Sequence, residues 1–126
     1  MDSLINIWLD DTRPIPFSLR NQKEYWVICK SYQEFIEQVE LCKEKLDMIC
    51  FDHDLCDEHY RIFNELMVKD RKATELPYEI YQTKCGYHAA KYIVDNNIKI
   101  KDFRSQTFNH IGKRNIEELL NKYLNK

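Results

Sequence analysis

Glycine and proline are scarce in this chain: Gly86 and Gly112 are its two glycines, and Pro14, Pro16 and Pro77 its three prolines, in 126 residues. That scarcity excludes low-complexity linkers and tandem repeats, and gives weight to each break that does occur. No C-x-x-C joins Cys29, Cys42, Cys50, Cys56 and Cys85. An odd cysteine set, with Cys29, Cys42 and Cys50 in apolar stretches, points to free thiols in a reducing compartment and to no zinc site. Charge of one sign is also missing. With 19 Lys+Arg against 21 Asp+Glu the net charge is −2, which excludes a general pull toward nucleic acid or anionic membrane and leaves only local basic patches. No apolar run is long enough to span a bilayer, and Met1-Asp2-Ser3 has no basic region of a signal peptide. The expectation is a cytoplasmic protein with no membrane partner.

What is present fits one globular domain, residues 1–126, with 44% hydrophobic and 13% aromatic residues. Residues 4–9 are rich in β-formers and read as a strand that stops at Asp10-Asp11, before a stiff Arg13-Pro14-Ile15-Pro16 loop. Residues 26–29 read as a second strand. Ser31 with Glu34 makes a capping box for a helix whose apolar face is Phe35, Ile36, Val39 and Leu46. A third strand, 48–51, runs into Asp52-His53-Asp54. Residues 56–84 form a long polar insertion with a helix around 60–68, a break near Pro77 and an undecided segment 78–81. A helix over 86–94, a fourth strand over 103–108 and a last amphipathic helix opening after Gly112 complete the chain. Strands alternating with helices imply a parallel sheet, hence an α/β fold: a small three-layer flavodoxin-like domain with strand one central and an insertion after strand three.

The two acidic clusters are the main clue to function. In an open parallel sheet the carboxyl ends of strands one and three meet at one edge, where such folds bind ligands, so Asp10, Asp11, Asp52 and Asp54 converge there as candidate metal ligands. A hard oxygen shell of this kind suits Mg²⁺ or Mn²⁺. If the segment stays extended, Asp52 and Asp54 share a face and His53 points away, so one of His53 and Asp54 then stands behind the site. In-line attack on a phosphodiester needs cationic groups at the equatorial oxygens, for which Arg13, Arg104 and Lys113 are candidates. It also needs a proton for the leaving oxygen, for which His53 and His110 are candidates. His59 and His88 are expected to pack or sit at the surface. Tyr60, Phe63, Tyr78 and Tyr81 are expected to anchor the insertion rather than stack on a base, with the insertion as a cover beside the pocket.

Four blocks carry a family resemblance over most of the chain: Leu9-Asp10-Asp11-Thr12-Arg13-Pro14, Phe51-Asp52-His53-Asp54-Leu55, Gly86-Tyr87-His88-Ala89-Ala90-Lys91, and Ser105 followed by Asn109 through Gly112 to Asn115-Ile116. They resemble the cyclic-phosphate processing receiver domains. The resemblance implies cation binding by Asp10, Asp11 and Asp52, with Ser105 as the hydroxyl residue after strand four and Asn109 as a further site residue. Three departures stand out: Arg104 where a His often precedes the Ser, Cys85 where a Thr often precedes the Gly, and the insertion itself. No lysine follows a fifth strand, which counts against an Asp52-phosphorylated regulator. The resulting expectation is a divalent-metal-dependent phosphoesterase for a cyclic phosphate, either a terminal 2′,3′-cyclic phosphate of an RNA end or a cyclic nucleotide signal. The alternative is a non-catalytic receiver-like module that binds a phosphorylated or nucleotide ligand, or a protein.

Overall fold

A computed structural model describes residues 4–19 and 25–125; Met1-Asp2-Ser3, on which the signal-peptide reading rests, lie outside them. The elements run β1 (Ile5–Leu9), β2 (Tyr25–Cys29), α1 (Tyr32–Cys42), β3 (Leu46–Phe51), α2 (Asp57–Lys69), α3 (Gly86–Asp95), β4 (Asp102–Ser105) and α4 (His110–Leu124), with short 3-10 turns at Phe17–Leu19 and Tyr78–Ile80. The strands form one parallel sheet in the order β2-β1-β3-β4, a flavodoxin/receiver-like α/β architecture with β1 internal. No helix among the described residues is long and apolar enough to cross a membrane.

The two sheet faces are covered differently. Steps β2→β3 and β3→β4 move in the same direction across the sheet, so right-handed crossovers put α1 and α3 on one face. There Ile7, Leu9, Ile49 and Phe51 pack against Phe35 and Val39 of α1, Ala89, Ala90 and Ile93 of α3, and Ile116 and Leu120 of α4. On the other face Trp8 and Cys50 meet Ile15 and Leu19 of the β1–β2 connection, which form the third layer among the described residues.

Several boundaries differ from the sequence expectation. Leu46 is the first residue of β3, not part of the α1 face, because the helix ends at Cys42. Asn6 explains how β3 runs longer than its apolar core: the β1–β3 register shifts between Ile5 and Ile7, and the Asn6 side chain accepts the Met48 N–H at 3.0 Å. β4 stops at Ser105, three residues short of the expected end; the Gln106 N–H makes the last ladder bond, to the Phe51 carbonyl at 3.0 Å, and its side-chain amide donates to the Leu9 carbonyl at 3.2 Å. Gly112 lies within α4 instead of before it; Asn109 is the N-cap and takes the Gly112 N–H at 2.9 Å. Ser31 caps α1 as expected, although the Glu34 carboxylate reaches back to the Lys30 N–H.

Neither glycine has a positive φ; among the described residues the left-handed positions, past the ends of α3 and α4, go to Asn97 and Asn125. The glycines serve close approach. A Cβ on Gly86 would lie 1.8 Å from the Asp52 carbonyl oxygen, and one on Gly112 2.3 Å from the His53 ring. Both therefore press helix N-termini onto the same segment after β3. Alanine at an ordinary helix position gains up to about 1 kcal/mol over glycine, whereas overpacking costs about 1–3 kcal/mol or more. Gly86→Ala, which meets backbone, is expected to lose about 3 kcal/mol or more, or to fail to fold. Gly112→Ala, which meets a side chain, is expected to lose less. Urea unfolding midpoints test the order, and a stabilised Gly86→Ala would refute the close-approach account.

Candidate metal centre and the buried network behind it

Asp10, Asp11 and Asp52 stand at the carboxyl ends of β1 and β3, each offering a carboxylate oxygen within 4.8 Å of the others. Asp10 is 2% exposed. Its Oδ1 accepts the N–H groups of Thr12 (3.1 Å) and Arg13 (2.8 Å), a turn that the Pro14-restricted loop imposes, while its Oδ2 is buried without a partner. Asp52 accepts the His53 N–H at 2.8 Å and a hydrogen bond from the Thr107 hydroxyl. Tyr60 of α2 donates its hydroxyl to Asp11 at 2.9 Å.

Burial first, and the neighbouring Asp10 carboxylate next, push the Asp52 carboxyl up to about 8. An unpartnered buried oxygen and a carboxylate driven toward its neutral form are what a cation would relieve, so the donor set fits a hard divalent ion.

His53 and Asp54 face away from this centre. His53 is fully buried and Asp54 nearly so. His53 Nδ1–H donates to Asp54 Oδ1 at 2.7 Å, and Asn109 donates to the same carboxylate at 3.2 Å. The remaining ring nitrogen, Nε2, accepts from the Tyr78 hydroxyl at 2.9 Å, and Tyr78 accepts in turn from Asn115 at 2.9 Å. The chain Asn115 to Tyr78 to His53 to Asp54 has a donor and an acceptor at every link. Asp54 is thus not among the carboxylates that come together, and Asn109 spends its amide on Asp54 and on capping α4.

The other candidates are distributed as follows. Arg13 is half-buried at the rim; its guanidinium donates to the Gln106 carbonyl and lies 4.8 Å from the Phe108 ring centroid. His110 is exposed at the start of α4, edge-on to Phe63 at 5.6 Å. Lys113 is exposed on the first turn of α4. Arg104 is exposed and level with Cys50 in the sheet register, one residue before the end of β4. Ser105 lines a shallow depression with Glu117 and Asn121, its hydroxyl buried and without a partner, and the hydroxyl that reaches Asp52 is that of Thr107.

The insertion is part of the core. His59 is fully buried, its Nδ1 accepting the Leu55 N–H at 2.9 Å and its Nε2–H donating to the Thr83 carbonyl at 2.7 Å. With both ring nitrogens engaged, its neighbours Cys56 and Glu58 do not make it a metal ligand. Tyr78 and Tyr81 pack on the His53 ring, and Tyr78 stacks on Tyr87 at 4.8 Å. Cys85 is the N-cap of α3, its sulfur taking the place of a hydroxyl and its N–H bonded to His88 Nδ1 at 2.9 Å. Burial, then Lys84, hold the His88 imidazole down to about 4.

Fold and acidic edge together define a receiver-like α/β domain. The profile of the cyclic-phosphate processing receiver domain matches residues 5–122, and the chain belongs to that family. No curated protein and no solved structure matches it.

Two tests follow. Because the folded Asp52 titrates near 8 and an unfolded aspartate near 3.8, the folded state holds the extra proton between these values. Metal-free protein should therefore lose stability as pH rises from about 4 to 8, with a limiting slope of about 1.4 kcal/mol per pH unit. Thermal melts in chelator should show this fall, and Asp52→Asn should flatten it; a wild-type Tm constant over that window would contradict the assignment. Tyr78→Phe removes the hydroxyl between Asn115 and His53 Nε2, leaving that nitrogen only the Cys85 sulfur at 3.5 Å, and should cost about 1–3 kcal/mol with unchanged divalent-ion affinity. Denaturant unfolding and ion titration of one preparation separate the two.

Proposed function

We propose that the domain is a divalent-metal-dependent phosphoesterase acting on a cyclic phosphate, carried by a terminal 2′,3′-cyclic phosphate or a cyclic nucleotide signal. The observation that carries the reading is the Asp10 carboxylate, with one oxygen anchored by two backbone N–H groups and the other buried and unpartnered beside Asp11 and Asp52. Such an arrangement contributes little to folding and suits an ion. Asp10, Asp11 and Asp52 would hold Mg²⁺ or Mn²⁺, which when bound polarises a phosphoryl oxygen or activates a water.

Arg13 is the charge-stabilising group. Its backbone is tied to Asp10, and its guanidinium has donors to spare beyond the one taken by the Gln106 carbonyl. His110 is the proton donor to the leaving ring oxygen, because of the two imidazoles considered it is the exposed one. His53 acts as a positioning residue that fixes the backbone on which Asp52 is carried. Lys113 offers a further positive charge one turn along α4 from Asn109. The family assignment to cyclic-phosphate processing supports the substrate class.

Turnover of 2′,3′- and 3′,5′-cyclic nucleotides with Mg²⁺ or Mn²⁺ is the test. Asp10→Asn and Asp52→Asn should lose ion binding by calorimetry, with the fold intact by circular dichroism. Arg13→Ala and His110→Ala should keep ion binding and lose about 10²–10³-fold in rate. Ion affinity unchanged in both aspartate variants would remove the metal site, and an ion-loaded protein inert toward every cyclic phosphate would leave a binding module.

A further inference from the structure

Phe108 is 88% exposed, the most exposed large apolar side chain among the described residues. Folding gains almost nothing from a ring left in water, and a lone surface Phe would need no explanation. This ring, however, is held in place from two directions. Its neighbour Thr107 bonds Asp52 of the acidic centre. Arg13, whose backbone N–H bonds Asp10 at 2.8 Å, lies over it at 4.8 Å while its guanidinium is pinned to the Gln106 carbonyl. One face of the ring is occupied by the cation and the other is open. The aromatic surface is thereby set at a constrained distance from Asp10 and Asp52 by short tethers to both carboxylates.

We propose that Phe108, backed by Arg13, is a stacking platform for the base of the ligand, so that the substrate class is a nucleoside cyclic phosphate and not a base-free one. The inference rests on the phosphate reading of the acidic centre and adds the chemistry of the group attached to that phosphate. Base–aromatic stacking is sequence-tolerant because every base has a π face, so the platform selects for a base without selecting which. The guanidinium on the far face strengthens the stack through its interaction with the ring quadrupole. Phe108 is thus a specificity-determining residue that binds ligand, and the aromatic residues of the insertion are spent elsewhere: Tyr60 on Asp11, Tyr78 and Tyr81 on His53, Phe63 on His110.

The test is calorimetric titration, with Mn²⁺ present, of adenosine 2′,3′-cyclic monophosphate, adenosine 3′,5′-cyclic monophosphate and glycerol 1,2-cyclic phosphate, which has the phosphate ring but no base. Wild type should bind one of the adenosine ligands about 10- to 100-fold more tightly than the glycerol ligand. Phe108→Ala should abolish that difference and leave glycerol-ligand affinity unchanged, while Phe108→Trp should retain it and show emission quenching by adenine that wild type lacks. Equal affinities in wild type, or a full base preference surviving in Phe108→Ala, would overturn the platform and leave the phosphate site standing. Binding of none of the three would overturn the phosphate site and the platform with it.

Discussion

Two helix N-termini close on the three residues after β3 because neither brings a side chain to the contact. Gly86 lets α3 rest on the Asp52 carbonyl, and its own N–H bonds the His53 carbonyl at 2.8 Å. Gly112 lets α4 rest on the His53 ring. The rest of the site depends on this clamp. Asp52 can be held at 4% exposure beside Asp10 only because the backbone that carries it cannot retreat. The cost, a carboxylate pushed toward its neutral form by burial and by Asp10, is kept in place by packing on the other side of the same segment.

Consecutive side chains divide the work. Asp52 points to the acidic edge, where oxygen atoms are in excess over donors. His53 and Asp54 point into a network in which donors and acceptors balance link by link, from Asn115 through Tyr78 to Asn109. Low dielectric strengthens each bond in that network and makes each broken one costly. The insertion supplies Tyr78 and Tyr81 to it, and His59 ties the start of α2 to Thr83 at the end of the insertion. The insertion is therefore a structural wall behind the acidic edge, and its Tyr60 reaches Asp11 at that edge.

The legibility of the chain followed the range of the forces involved. Strand and helix existence was readable because it rests on local periodicity: Ile5–Leu9, the Ser31 cap and the apolar stripe Ile116, Leu120 all stand where pattern puts them. Convergence of Asp10, Asp11 and Asp52 was also readable, since parallel topology brings the ends of β1 and β3 to one edge whatever the details. The grouping of Asp54 with them was not, because its direction depends on Asn109, 55 residues away. The Thr107 hydroxyl on Asp52 was not readable either, because it joins residues 55 positions apart.

The sequence by itself determined the fold class, the parallel edge and the three carboxylates on it, because alternation, caps and strand-end residues act over a few positions and topology does the remainder. Only the tertiary structure decided what the two glycines are for, which hydroxyl meets Asp52, and that His53 is sealed inside while His110 is open. Those outcomes rest on contacts between residues dozens of positions apart. There the fit of one side chain against another element, and the rule that no buried donor or acceptor be left alone, outweigh any preference a residue has on its own.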